Sequence, residues 1–410
     1  EKIETNDMEA VFEEYSQGRL QDTVNEFRSE LPDIERLLVN MRPTRKERTA
    51  KEGYVFSPDA ITRKLRDVMN TGAFRFTSGK IATPKDLIGF LYKINFLTAR
   101  SESADGIVLH RPFSAMVNII RGCTNFCSYC IVPYVRGPEV SRPLDELTAF
   151  ITELAGRGVK EITLLGQNVN AYGKDLGIKE GFATLLERIE KIDGINWVRF
   201  MTSHPRDFSL ETVKRMAQLK KVCEQYHLPV QAGSNRILTE MKRGYTREHY
   251  LELISQVREN IPGVSLSTDI ICGFPGETEA EFNDTLDLIK QVRYETAFMY
   301  YYSPREGTAA ATMPGQIDEE IRKARLAKLI EVQNGIGLEE SLKLVGQTFE
   351  VLVESEAARN EGHLVGKTRT GRSIDFAGSR DLIGSFVEVT VQKARNWTLS
   401  GITTAKKGVG

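Results

Sequence analysis

Arg121-Gly122-Cys123-Thr124-Asn125-Phe126-Cys127-Ser128-Tyr129-Cys130 spaces three cysteines as CxxxCxxC. The run follows an apolar, strand-like stretch at 115–120, so the thiols fall on the loop that leaves a strand. A loop of this length wraps three thiolates round one corner-sharing iron-sulfur cluster and leaves the fourth iron without a protein ligand. An open iron binds the amino and carboxylate groups of a small molecule directly, whereas a cluster with four cysteine ligands usually only carries electrons. The alternative is that the thiols hold zinc or are unconnected structural cysteines. Zinc sites normally show cysteine pairs spaced by two residues and a fourth Cys or His nearby. Here the nearest histidines are His110 and His204. Phe126 and Tyr129, interleaved with the thiols, are suited to keep water from a cluster, and Cys223 and Cys272 lie in apolar contexts that read as buried packing.

Outward from this loop, residues 113–340 read as strands alternating with helices, the pattern of a parallel sheet with crossover helices. Strands are expected at 115–120, 161–165, 197–201, 224–229, 265–271 and 297–302. Helices are expected at 144–155, 182–192, 210–219, 247–259, 279–292 and, long and charged, at 318–344. Six such units are too few for the usual eight-fold closed barrel and suit an open, partial (β/α)6 barrel of α/β class. The tail switches to short β patterns at 348–353, 363–368, 373–376, 386–391 and 397–402, which predict a small five-stranded barrel of the oligonucleotide-binding kind. Residues 1–105 read as mainly helical, with apolar spacings of three and four at 8–28 and 31–41 and further helices at 58–69 and 84–99. Three parts follow: a helical region at 1–105, a core at 106–340 and a tail barrel at 341–410.

The sequence has 410 residues, 40% of them hydrophobic and 27% charged, the balance of a globular protein with sizeable cores. No apolar run approaches the roughly 20 residues that cross a bilayer, and the first ten residues lack a secretory pattern. No membrane partner and a cytoplasmic location are therefore expected. Five cysteines, three of them clustered, fit a metal or redox site in a reducing compartment better than a disulfide framework. A net charge of -1 gives no global attraction to nucleic acid, so RNA contact has to come from local basic patches.

Further segments carry a resemblance: Cys130-Ile-Val-Pro-Tyr-Val-Arg-Gly, Ser141-Arg-Pro, Leu165-Gly-Gln-Asn-Val-Asn, Thr202-Ser-His-Pro, His227-Leu-Pro-Val-Gln-Ala-Gly-Ser and Gly273-Phe-Pro-Gly-Glu-Thr. With CxxxCxxC on a six-unit array, they resemble the radical S-adenosylmethionine superfamily and, within it, the methylthiotransferases. The VPY-RG text and the GQNVN loop resemble the branch that modifies tRNA more than the branch that modifies a ribosomal protein. The match runs from about 113 to 403. It implies a [4Fe-4S] cluster on Cys123, Cys127 and Cys130 and S-adenosyl-L-methionine on its open iron, where one electron breaks the sulfonium bond and releases a 5′-deoxyadenosyl radical.

By the same resemblance, loops after the strands bind cofactor and substrate at the carboxyl-end rim. These are Tyr129 near adenine, Gly166, Gln167 and Asn168 at the methionine end, then Ser203, His204, Gln231, Ser234 and Arg247. Ser234 and Thr278 also read as helix caps, and Arg247 and Arg305 as anchors for carboxylate or phosphate. The tail resembles the small barrel with which this family holds tRNA. Lys367, Arg369, Arg372, Lys393 and Arg395 are its candidate phosphate contacts, against the alternative of a merely solvated basic face. The implied reaction adds a methylthio group to C2 of an N6-modified adenosine beside the anticodon, whose unstacked loop bases can be turned into a pocket. The implied partners are tRNA and an electron donor such as flavodoxin or ferredoxin. Other readings are methylthiolation of a ribosomal protein side chain, or a single-cluster or degenerate RNA-binding relative.

One departure stands out. The family's amino-terminal domain carries three further cysteines for a second, sulfur-supplying cluster, but residues 1–122 contain none. A second cluster is therefore not supported. Arg75, Lys80 and Lys85 allow a nucleic-acid or protein contact there, with plain helical packing the simpler alternative.

Overall fold

The computed structural model describes residues 111–403 apart from Arg359 and Trp397. The expected helices within 1–105, the basic residues Arg75, Lys80 and Lys85, and Trp397 at the start of the last strand lie outside the described residues.

The core starts with β1 (Ser114–Asn118), β2 (Ile120–Arg121), a short helix α1 (Val132–Arg136) and β3 (Val140–Ser141). Then strands and helices alternate: α2 (Leu144–Gly156), β4 (Glu161–Leu165), α3 (Gly181–Glu190), β5 (Trp197–Phe200), α4 (Leu210–Met216), β6 (Gln225–His227), α5 (Asn235–Glu240), α6 (Arg247–Asn260), β7 (Ser265–Cys272), α7 (Glu279–Val292), β8 (Thr296–Tyr301) and the long α8 (Glu319–Leu342). The parallel strands run in the order β1-β4-β5 and β6-β7-β8. Val198 joins the two sets: its N–H donates to Lys221 O at 2.8 Å and its carbonyl accepts from Cys223 N at 2.9 Å. No ladder links β8 back to β1 among the described residues, so the six-strand arc stays open.

Helices cover the outer face because each carries an apolar stripe. On α7, Phe282, Leu286, Ile289 and Val292 are buried, and each such side chain contributes about 1.5–3 kcal/mol. Its start is fixed by a capping box in which the Thr278 side chain accepts from Glu281 N and the Glu281 carboxylate accepts from Thr278 N. The expected first strand at 115–120 is split in two. Ile119 still donates to Leu165 O at 3.0 Å, but its carbonyl accepts from Arg142 N, and Ile120 then pairs antiparallel with Ser141. The chain thus leaves the sheet at Ile119, and this bend aims the cysteine loop.

The tail is a closed barrel in the order β10-β11-β13-β12-β9, formed by β9 (Thr348–Glu356), β10 (His363–Thr368), β11 (Ser373–Ala377), β12 (Phe386–Ala394) and β13 (Thr398–Thr403). Val351, Val353, Leu364, Ile374, Phe376, Val389, Val391 and Leu399 fill its interior. It docks on the amino-terminal ends of the core strands. Lys160 Nζ donates to Gly384 O at 2.7 Å, and the Trp197 and Phe386 rings meet edge-on at 4.9 Å. Arg199 joins core to tail: it donates to Glu161 Oε1 at 2.6 Å, Gln225 Oε1 at 2.8 Å, Arg369 O at 2.8 Å and Thr368 O at 2.8 Å.

Candidate active site

The cysteine loop leaves β2 through Gly122, whose φ of 79° is left-handed, and Phe126 at φ 45° adds a strained non-glycine position. Such a path persists only if its surroundings hold it. Gly122 N donates to Gln167 Oε1 at 2.6 Å, and Thr124 Oγ1 donates to Glu139 Oε2 at 2.8 Å. Arg206 donates to the Asn125 side chain. Ser128 donates through its N to Met241 O at 3.1 Å and through its Oγ to Glu240 O at 2.7 Å, while Ala310 N donates to Ser128 O.

This scaffold brings the three thiols to one place. Burial pushes the Cys123 thiol up to about 12, and Glu139, Cys127 and Cys130 add repulsion. Burial also raises Cys130, with Cys127 adding to it. Among the described residues, no three His, Cys, Asp or Glu side chains gather closely enough for a single metal ion. Three thiols within mutual electrostatic reach are the ligand type that an iron-sulfur cluster takes.

The rim beside the loop is polar and unsatisfied. At the end of β4, Asn168 is buried and donates to Asp207 Oδ2 at 2.7 Å, leaving its own oxygen without a partner. Asn170, two residues on and 7% exposed, has neither amide atom bonded. After β5, Ser203 Oγ is buried and unpartnered. His204 accepts from Arg206 N through Nδ1 at 3.3 Å, which leaves Nε2 buried without a partner. Burial, followed by the charge of Arg243, depresses His204 to about 2, so the ring is neutral. After β6, Gln231 sits at φ 74° with its Oε1 unpartnered. Buried polar atoms without partners are rare in native folds, and three neighbouring loops supplying them mark a surface that a polar ligand completes.

The other expected rim residues are engaged within the chain. Gly166 packs so closely that a Cβ there would stand 2.4 Å from Ile120 Cγ2, so glycine is required at the exit of β4. Gln167 holds the cysteine loop through Gly122. Ser234 caps α5 by accepting from Ile237 N, and Arg247 donates to Asp284 O at 2.7 Å. Tyr129 Oη accepts from Arg243 at 3.3 Å, and burial raises its phenol well above the ordinary range. Residues that sequence reasoning passed over are Asn170, which lies within the quoted GQNVN text, and Arg243, which no local pattern marks.

In the tail, Lys393 and Arg395 are exposed, and Lys367 lies 3.7 Å from Glu354. The expectation for Arg369 and Arg372 is corrected. Arg369 donates to both Glu224 oxygens and to Val222 O. Arg372 is 8% exposed and donates to Ser341 Oγ at 3.0 Å. Their charges fasten tail to core rather than face solvent.

The Radical SAM superfamily pattern matches residues 117–289 and the TRAM domain pattern matches 342–403. The tRNA-2-methylthio-N(6)-dimethylallyladenosine synthase of Moorella thermoacetica is 54% identical over 291 residues, 71% of this chain and 66% of that protein. The protein of the same description from Carboxydothermus hydrogenoformans is 52% identical over 306 residues, 74% of this chain and 70% of that protein. Among solved structures, coproporphyrinogen III oxidase (HemN) from Escherichia coli aligns at 14% identity with a TM-score of 0.44, covering 73% of this chain and 70% of that one. The two domain matches make the chain a radical S-adenosylmethionine protein with a TRAM domain. Within that class it belongs to the family of the tRNA-2-methylthio-N(6)-dimethylallyladenosine synthases. It spans 66% of the Moorella relative and 64% of the Pelotomaculum thermopropionicum one, slightly under two thirds of either. The superfamily implies a [4Fe-4S] cluster and S-adenosyl-L-methionine, and the three thiols and the unsatisfied rim fit both.

Proposed function

We propose that this chain is a radical S-adenosylmethionine methylthiotransferase that adds a methylthio group to C2 of an N6-modified adenosine beside the tRNA anticodon. The observation that carries the reading is the placement of three thiols, one buried and two half-buried, beside a rim of unpartnered polar side chains. Bound there, the [4Fe-4S] cluster supplies the one-electron cleavage of the sulfonium that starts hydrogen abstraction. Cys123, Cys127 and Cys130 hold the cluster. Asn168, Asn170, Ser203 and Gln231 orient cofactor and base through their free amide and hydroxyl groups. His204, neutral and with Nε2 free, offers a hydrogen bond but no charge. Tyr129 shields the thiols from water. Residues 106–340 form the catalytic part of this reading, and 341–410 the part that holds RNA through Lys367, Lys393 and Arg395. The remaining partner is a one-electron donor such as flavodoxin or ferredoxin, and the place of work is the cytoplasm, where the thiols stay reduced.

Residues 1–122 contain no cysteine, so a narrower second reading keeps the radical step on this chain and draws sulfur from outside those residues. Anaerobic reconstitution tests the common part. About four irons per chain and release of 5′-deoxyadenosine on adding dithionite and cofactor are expected. Alanine at any of the three cysteines abolishes both. A chain that holds no cluster ends the proposal. Mass spectrometry of tRNA incubated with the loaded protein, with and without added sulfide, separates the two readings.

A further inference from the structure

Arg243 is 4% exposed and lies just beyond α5, in the turn whose main chain holds Ser128 of the cysteine loop. Each nitrogen of its fork is engaged. Nε donates to Tyr245 Oη at 3.1 Å, Nη2 to Pro229 O at 2.8 Å, and Nη1 to both Tyr129 Oη and Cys127 Sγ at 3.3 Å. The guanidinium carbon also stands 5.4 Å from the Tyr245 ring centre. Every acceptor is a phenol, a carbonyl or a thiol. Among the described residues, no aspartate or glutamate forms an ion pair with Arg243. A guanidinium does not give up its proton, so the chain buries a permanent cation without an anion, which is costly unless one arrives. Cys127 is the one neighbour that becomes an anion in the assembled protein, because cysteine binds iron as thiolate.

We infer that Arg243 is the built-in counter-ion of the cluster, donating a charge-assisted hydrogen bond to the Cys127 thiolate and raising the potential at which the cluster accepts an electron. The inference rests on the cluster assignment above. Three thiolates leave the centre anionic, and one electron from an external one-electron donor adds a further negative charge with no bond made or broken. A fixed cation at the ligand sulfur favours the reduced form over the oxidised one, the same lever by which hydrogen bonds to sulfur set cluster potentials elsewhere. Four bonds from three directions keep the fork from swinging away, so the effect is preorganised. The nearby His204 is neutral and contributes no competing charge.

The test is an anaerobic titration with dithionite and dye mediators, followed by electron paramagnetic resonance, on wild type, Arg243→Gln and Arg243→Lys, with iron counted in each. At the potential where wild type is half reduced, Arg243→Gln with full iron shows a reduced-to-oxidised ratio about tenfold lower, or about 59 mV for one electron. Arg243→Lys, which keeps the charge, recovers more than half of that shift. A wild-type midpoint, or a more positive one, in iron-replete Arg243→Gln overturns the inference. If Arg243→Gln holds no iron, Arg243→Lys decides. Retained iron with a midpoint less than about 30 mV below wild type supports the counter-ion; a larger fall, a midpoint above wild type, or loss of iron there too reduces Arg243 to a residue of the fold. A wild type that assembles no cluster defeats the cluster assignment itself, before any variant is compared.

Discussion

Replacing Arg199 by methionine tests the joint between core and tail. The guanidinium is 6% exposed and donates to the Glu161 carboxylate, which is itself 4% exposed. Without Arg199, Glu161 retains the Ser114 hydroxyl at 2.9 Å as a donor but loses its buried countercharge. Breaking a buried pair by removing one partner costs about 3–5 kcal/mol. The carbonyls of Thr368 and Arg369 and the amide of Gln225 also lose a charged donor. These losses are not additive, so about 4 kcal/mol is expected. At roughly 2–4 °C per kcal/mol for a unit of this size, the melting temperature falls by about 8–16 °C. Urea unfolding followed by circular dichroism reads the same change as a shifted midpoint. The decisive comparison is the double variant Arg199→Met with Glu161→Gln. Removing both charges abolishes the stranded carboxylate, so the pair recovers about half of the single variant's loss or more. A single variant within 1 kcal/mol of wild type, or a double variant no better than the single, refutes the reasoning; the threshold is about the net value of one ordinary hydrogen bond.

Three further outcomes are expected. Because burial holds His204 down to about 2 against about 6.5 when unfolded, its contribution to stability is complete above about 6.5. That contribution is lost as pH falls, since the unfolded chain takes up a proton that the native chain refuses. Its ring resonances therefore stay fixed in NMR from pH 8 to 5, and His204→Asn flattens the acid side of the stability profile. Gly233→Ala places a Cβ 2.5 Å from Asp284 O and Thr285 Cα, a clash with main chain that costs about 1–3 kcal/mol, read as a lower denaturant midpoint at unchanged slope. Alanine at both Lys393 and Arg395 lowers the slope of log affinity for single-stranded RNA against log salt by about 1.4, at about 0.7 for each phosphate no longer neutralised; an unchanged slope shows that neither touches RNA.

Local chemistry was legible wherever it determines structure by itself. Helix α7 begins and ends where the reading placed it because Thr278 and Glu281 write a cap into the sequence. Strand β4 fits its expected span, and the tail yields its five strands from alternation alone. Elements shorter than the periods that reveal them were missed, such as α5 with six residues and the two-residue β3. The split of the first strand was invisible because its cause, a carbonyl of Ile119 turned toward Arg142, joins distant positions. Arg243 stands 116 residues from Cys127 and carries no spacing signal. Basic residues misled in the tail: a positive charge reads the same whether its acceptor is an RNA phosphate or, as for Arg369, the chain's own Glu224.

The tail grips the starts of the core strands, whereas the cysteines and the unsatisfied loops lie beyond their ends. Five or six extended residues separate those poles, roughly 17–20 Å at about 3.3 Å each. The described residues thereby fix the distance between the two poles. If the tail holds RNA as proposed, a bound polymer that also reaches the cysteine loop has to be longer than the sheet is tall, and a mononucleotide meets one pole only.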